Sequence, residues 1–241
     1  MQEIRHEATN GNTIAYTQYV LPALGAQYNF PDRSGAGEPL RSVVLGNRNA
    51  LLDLEAFAQQ AKNNKSLSPQ GQAEAIAPRR AALAEKVTRA QDILNVERQK
   101  YEIDAAKLYA APGPADAVAV IQDVELRTRL VGVGGAGLSD TFARLKGDQA
   151  AADRERILLA LARDPIPGPG QQFARAAWRE KIERENPSRV AALVSRADDL
   201  DWAATALSQV ASIAQARDYP KGSADPKLRG SVEPITTPAR T

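Results

Sequence analysis

From Asn49 onward, hydrophobic residues recur at steps of three and four, the spacing that lines one face of an α-helix. In NALLDLEAFAQQAK the positions are Leu51, Leu54, Phe57 and Ala58, which predict a first helix. A polar break, KNNKSLSPQG, follows, and Ser68-Pro69 has the form of an N-cap with proline in the first turn. The next helix is predicted over about 70–111, the longest in the chain, with Pro78 as a point where it would kink. Leu83, Val87, Ala90, Leu94, Tyr101 and Leu108 follow a coiled-coil-like seam that Glu97 and Asp104 interrupt. Such a seam with polar defects is weak for a lone pair of helices and natural for one member of a bundle.

APGP at 111–114 ends that helix. Residues 115–131 fit two periods. Val124, Leu126, Thr128 and Leu130 alternate with charged residues as in a half-exposed strand, while Val120, Val124 and Val131 suit a helix. Beyond the glycine-rich VGVGGAGLSD, short helices are expected near 140–146 and 149–163. The proline-rich DPIPGPG, 164–170, predicts a stiff joint and the best internal boundary. A helix over QQFARAAWREKIERE and another from 188 to about 217 complete a C-terminal hairpin. In the last helix Leu193, Ala197, Leu200, Ala204, Leu207, Ala211 and Ala214 form a near-perfect heptad, and Trp202, Ala206 and Ile213 widen its apolar face.

The two ends break this pattern. Residues 1–48 read as an irregular to extended arm in which Asn10-Gly11 is a tight-turn signal, consistent with a short hairpin. LPALGAQYNFPDRSGAGEPL carries too many prolines and glycines to suggest a regular element. Tyr16, Tyr19, Tyr28 and Phe30 all fall in this arm, and aromatics there need a surface to pack on, either the chain's own helices or a neighbouring subunit. The final segment, 219–241, is proline-punctuated and has no helical period, so it reads as a tail.

Composition narrows the chemistry. At 241 residues the chain is long enough for a sizeable core. It contains no cysteine and one histidine, His6, so disulfides, thiolate metal sites and zinc sites built on His and Cys are excluded. No apolar run is long enough for a membrane span, and MQEIRHEATNG lacks the apolar core of a signal peptide. The formal net charge is +2, and 219–241 accounts for it: Lys221, Lys227, Arg229 and Arg240 stand against Asp225 and Glu233. The body is balanced, with no basic block of the kind nucleic acid selects.

One stretch looks chemical. Gly132, Gly134 and Gly137 fit G-x-G-x-x-G, and Gly132 to Ser139 fit a P-loop except that Leu138 stands in the lysine position. A nucleotide site also needs a buried apolar strand before the loop, and LRTRLV has arginines at alternate positions. The loop is therefore expected to be a joint between helices with Ser139 capping the next one, although LVGVGGAGL is uncharged enough to sit at an interface. Asp198, Asp199 and Asp201 crowd one helix, with Asp199 and Asp201 expected at the exposed edges of the seam.

These readings predict a mainly α fold: a multi-helix bundle with long coiled-coil-like helices and extended irregular N- and C-terminal arms. Its segments are an arm over 1–48, a helical domain over 49–163 with the glycine joint at 131–138, the 164–170 linker, a hairpin over 171–218 and the 219–241 tail. The expected role is a non-enzymatic structural or interaction subunit of a larger assembly, such as a bacteriophage particle or secretion apparatus. Its partners would be other protein subunits, including copies of itself, with no cofactor, metal or catalytic residue assigned. Tyr16, Tyr19, Tyr28, Phe30, Leu193, Leu200 and Leu207 are the candidate interaction residues. The alternatives are a delivered helical adaptor that binds through a helix face, and a nucleotide-binding enzyme that uses the 132–139 loop.

Overall fold

The computed structural model describes residues 2–6, 16–31, 33, 35–130, 132–164 and 168–216. It is mainly α, with a three-stranded sheet ahead of seven helices among the described residues. The strands are β1 (Gln2–His6), β2 (Tyr16–Leu21) and β3 (Ala26–Pro31). The helices are α1 (Leu40–Asn63), α2 (Pro69–Tyr109), α3 (Ala117–Arg129), α4 (Gly135–Arg144), α5 (Ala150–Ala162), α6 (Pro169–Glu185) and α7 (Pro187–Gln215). No described helix is long and apolar enough to cross a membrane.

The N-terminal segment is more regular than its composition suggests. β1 and β2 pair antiparallel with Gln2 opposite Val20 and His6 opposite Tyr16, so the segments flanking Asn10-Gly11 do form a hairpin. Asn10-Gly11 itself lies outside the described residues. The proline- and glycine-rich stretch that reads as irregular contains β3, which joins the sheet in the order β1-β2-β3. Prolines and glycines sit at the ends of β3, where they cost little: Pro22 and Gly25 make the turn before it, and Pro31 closes it. Gly25 has φ +64, a conformation few other residues adopt. Between these punctuation marks Tyr28 and Phe30 alternate with Asn29, which is the strand period.

Helix α1 starts at Leu40 and not at Asn49, which shortens the expected arm by nine residues. Its first turn follows Pro39, whose carbonyl accepts from Val43 N at 3.1 Å. Ser42, Val43, Val44 and Gly46 are weak helix formers, so periodicity alone misses this turn, and burial of Leu40 and Val44 stabilises it. The ambiguous 115–131 segment is helix α3, with Asp116 as N-cap accepting from Ala119 N at 2.8 Å. The helix expected near 140–146 begins earlier, at Gly135.

The chain divides into two compact units. The first contains the described parts of Met1–Phe30, Gly46–Val87 and Ser208–Thr241. Its sheet carries Tyr19 stacked on Tyr28 at 6.1 Å and Tyr28 edge-on to Phe30 at 6.0 Å, the offset geometries that aromatic quadrupoles favour. Arg48 lies over the Phe30 ring at 5.0 Å. Leu51, Leu54, Ala58, Leu83 and Ile213, which the helical period selects, are buried, and Ile76 and Val210 are buried with them. Glu55, only 1% exposed, breaks the apolar pattern for a structural reason. Its two carboxylate oxygens accept from Ala23 N and Leu24 N, each at 2.9 Å, and Lys62 donates to Ala23 O. The β2–β3 turn is thus tied to α1 by charge-assisted hydrogen bonds.

The second unit contains Pro31–Leu45 and Thr88–Leu207. Residues on both sides of 164–170 belong to it, because Arg175 Nε donates to Ala162 O at 3.2 Å and Gln171 Nε2 donates to Asp164 O. Leu138, Ile157, Leu161, Ala162 and Ala174 form a core cluster flanked by Leu126, Leu130, Val133, Phe142 and Phe173. The polar interruptions of the α2 seam are paired: Arg196 of α7 reaches Asp104 at 2.7 Å and Glu97 at 3.4 Å, and Lys100 reaches Glu97 at 2.7 Å. The Lys100 and Arg196 cations hold the Glu97 carboxyl below its usual range.

Candidate interaction surface

Of the seven residues singled out as interaction candidates, five lie inside. Tyr19, Tyr28 and Phe30 are buried in the first unit, and Leu200 and Leu207 in the second. The aromatic residues are there because β2 and β3 form a regular sheet with one covered face, so they serve the fold and not a docking surface. Tyr16 and Leu193 are half-buried. Neither these positions nor the heptad period identifies a surface open to a partner.

The glycine stretch is a packed joint. It follows a helix, α3, and not the buried strand a nucleotide loop requires, and Leu138 at the lysine position is fully buried. Gly134 is the N-cap of α4, and Ser139, expected to be that cap, lies inside the helix and donates to Gly135 O at 3.0 Å. The glycines permit close approach. A Cβ on Gly135 would stand 2.9 Å from the Phe173 ring, and one on Gly170 would stand 2.8 Å from the Val133 carbonyl oxygen. Of the acidic trio, Asp201 is exposed as expected and Asp199 is not. Asp199 is buried, not at an exposed edge, and it pairs with Arg33 and accepts from Gly37 N at 3.1 Å, while Trp202 Nε1 donates to Pro31 O at 2.8 Å. No group of three acidic or histidine residues suited to a metal ion occurs among the described residues.

The exposed surface that stands out is on α3. A helix on a globular unit normally turns its aliphatic residues inward and its charges outward. Here Val118, Val120, Ile121 and Val124 are 46–60% exposed, whereas Asp123 is 4% exposed. The inward carboxylate is satisfied: Arg163 Nη1 donates to Asp123 Oδ2 at 2.7 Å, and Arg127 Nη2 lies 3.7 Å from the same oxygen. Arg163 also donates to the Pro112 and Gly113 carbonyls, and Arg127 Nε donates to Ala160 O at 2.8 Å. These bonds lock the rotation of α3 about its axis. Below them Leu126 and Leu130 pack on the core cluster, so α3 docks through its C-terminal half and leaves its N-terminal aliphatic half outside.

The exposed valines and isoleucine also have a symmetric spacing. Val118, Ile121 and Val124 lie at i−3, i and i+3 around Ile121, one stripe along the helix. Ile93, Val96 and Ile103 of α2 and Val194 of α7 are likewise 40–52% exposed. Every exposed large hydrophobic among the described residues therefore belongs to the second unit.

No family model matches the chain, and neither a search of curated proteins nor one of solved structures returns a match.

Proposed function

We propose that this chain is a non-enzymatic structural subunit that assembles with protein partners, and that the outward face of α3 joins it to a second copy of itself. The observation that carries this reading is the inverted polarity of α3: aliphatic side chains in water and a carboxylate inside. Four branched aliphatic residues left about half exposed on one short helix forgo roughly half of the 1.5–3 kcal/mol that full burial of each is worth, and a partner that covers them recovers it.

The stripe argues for a copy of the same helix. In an antiparallel pair with its twofold axis at Ile121, each Ile121 meets its equivalent, and Val118 meets Val124 of the partner subunit. Ala117, opposite Glu125 of the partner subunit, leaves room for the longer side chain. In this arrangement the two helix dipoles run in opposite senses, which is favourable side by side. The setting that best fits such a subunit is a repeated multi-subunit structure, of which a bacteriophage virion or a secretion apparatus is the preferred example.

Light scattering coupled to size exclusion tests the reading. The 25.9 kDa chain is expected to elute with at least the mass of a dimer, and Ile121→Lys with Val124→Lys to elute as a monomer. Because these positions are exposed in the isolated chain, the variant should keep its helical circular dichroism spectrum and lose only the stability that association supplies. A wild-type chain that stays monomeric at high concentration would overturn the proposal.

A further inference from the structure

Within the second unit α2 carries two stripes, and one of them is covered. Ala90 and Leu94 are buried, and their seam continues through Glu97 and Asp104, where Arg196 of α7 pairs with both carboxylates. The other stripe runs through Arg89, Ile93, Val96, Lys100, Ile103 and Lys107, at alternating steps of four and three. All six of these residues are exposed, Ile93, Val96 and Ile103 by 40%, 49% and 52%. We propose that this outer stripe docks an acidic amphipathic helix of a second, non-identical protein. The inference rests on the reading of the chain as an assembly subunit, but not on the pairing through α3.

Two features of the stripe select this partner. Its branched aliphatic residues give a second helix apolar surface to bury, along about 27 Å of α2 from Arg89 to Lys107. Its remaining positions are all cations, and none is acidic. The carboxylates of Glu97 and Asp104 belong to the covered seam, where Arg196 takes them, and Lys100 reaches round to Glu97 at 2.7 Å. A helix with aliphatic residues facing Ile93, Val96 and Ile103, and carboxylates facing Arg89, Lys100 and Lys107, matches both features. A second copy of α2 does not. Parallel pairing sets each cation against its own equivalent. The antiparallel pairing that joins Ile93 to Ile103 of the partner subunit sets Arg89 against Lys107 of the partner subunit.

Fluorescence anisotropy with labelled synthetic helices tests this on the full chain. The probe carries glutamate, leucine, leucine, glutamate, leucine and glutamate at the stripe's own steps, and is made in both orders for parallel and antiparallel docking. A control peptide has lysine in place of each glutamate. At low salt the acidic peptide is expected to bind about tenfold or more tightly than the control, since attraction replaces repulsion at Arg89, Lys100 and Lys107. Val96→Glu with Ile103→Glu, both at exposed positions, should abolish binding and leave the circular dichroism spectrum unchanged. Lys100→Gln with Lys107→Gln, which leaves Arg196 to pair with Glu97, should reduce the preference about threefold or more. Binding should survive Ile121→Lys with Val124→Lys, whose mass by light scattering reports separately on the α3 pairing. No binding of the acidic peptide in either order, equal binding of the control, or binding that survives Val96→Glu with Ile103→Glu would each overturn the proposal. Loss of binding in the α3 variant would do the same.

Discussion

Glu55→Ala is expected to destabilise the first unit by about 3–5 kcal/mol, because it strands two buried backbone N–H groups at once. Ala23 N and Leu24 N both donate to this carboxylate, and Glu55 is almost fully enclosed, so water cannot replace it. The loss is a large share of the stability a domain has to spare. It corresponds to a fall in the melting temperature of about 10 °C or more for a chain of this size. The turn held by Glu55 positions Tyr28 on β3, so the aromatic stack should loosen with it. Glu55→Gln keeps one acceptor oxygen and should lose about half as much. Thermal melts followed by circular dichroism separate the cases. A loss below about 1 kcal/mol for Glu55→Ala would mean that the turn is not anchored by α1.

Asp123→Ala is expected to cost a similar amount, about 3–5 kcal/mol, through the opposite defect: a buried cation left without its anion. Arg163 is only 15% exposed in its side chain and has Asp123 as its close carboxylate. The double variant Asp123→Leu with Arg163→Met should recover much of the loss, since apolar residues of similar volume carry no desolvation cost. Recovery will be incomplete, because Arg163 also donates to the Pro112 and Gly113 carbonyls before α3. Urea unfolding of Asp123→Leu, Arg163→Met and their double variant gives the coupling. Additive losses, with no recovery in the double variant, would contradict the role given to this pair. The consequence for assembly is direct: without the lock, α3 is free to rotate and bury its own valines.

The long helices were legible from spacing alone. Leu83, Val87, Ala90 and Leu94 of α2, and Leu200, Leu207 and Ala214 of α7, are buried where the three-four period puts them. The sheet was half legible. Turn signals and alternating Tyr28 and Phe30 were present, but prolines and glycines on either side hid the strand, because composition does not say whether they fall within an element or at its ends. Periodicity also could not distinguish which face of α3 is covered. That choice depends on Asp123 meeting Arg163, forty residues away, and a long-range ion pair leaves no local pattern. The same blindness applied to Arg196, which satisfies Glu97 and Asp104 across ninety or more positions. The aromatic residues of the first segment could satisfy either an internal or an external surface, and local sequence does not decide between them.

A chain without cysteine allows the interface to be read one position at a time. Under the twofold pairing of α3, a single Ile121→Cys variant places two thiols across the axis, within reach of a disulfide after small adjustment of the helices. Val118→Cys and Val124→Cys should each cross-link poorly alone and efficiently when mixed, and Val194→Cys, off α3, should not cross-link above background. Formation of covalent dimer by Ile121→Cys and by the Val118–Val124 mixture is the predicted result. No dimer from Ile121→Cys, or equal dimer from Val194→Cys, would contradict assembly through α3.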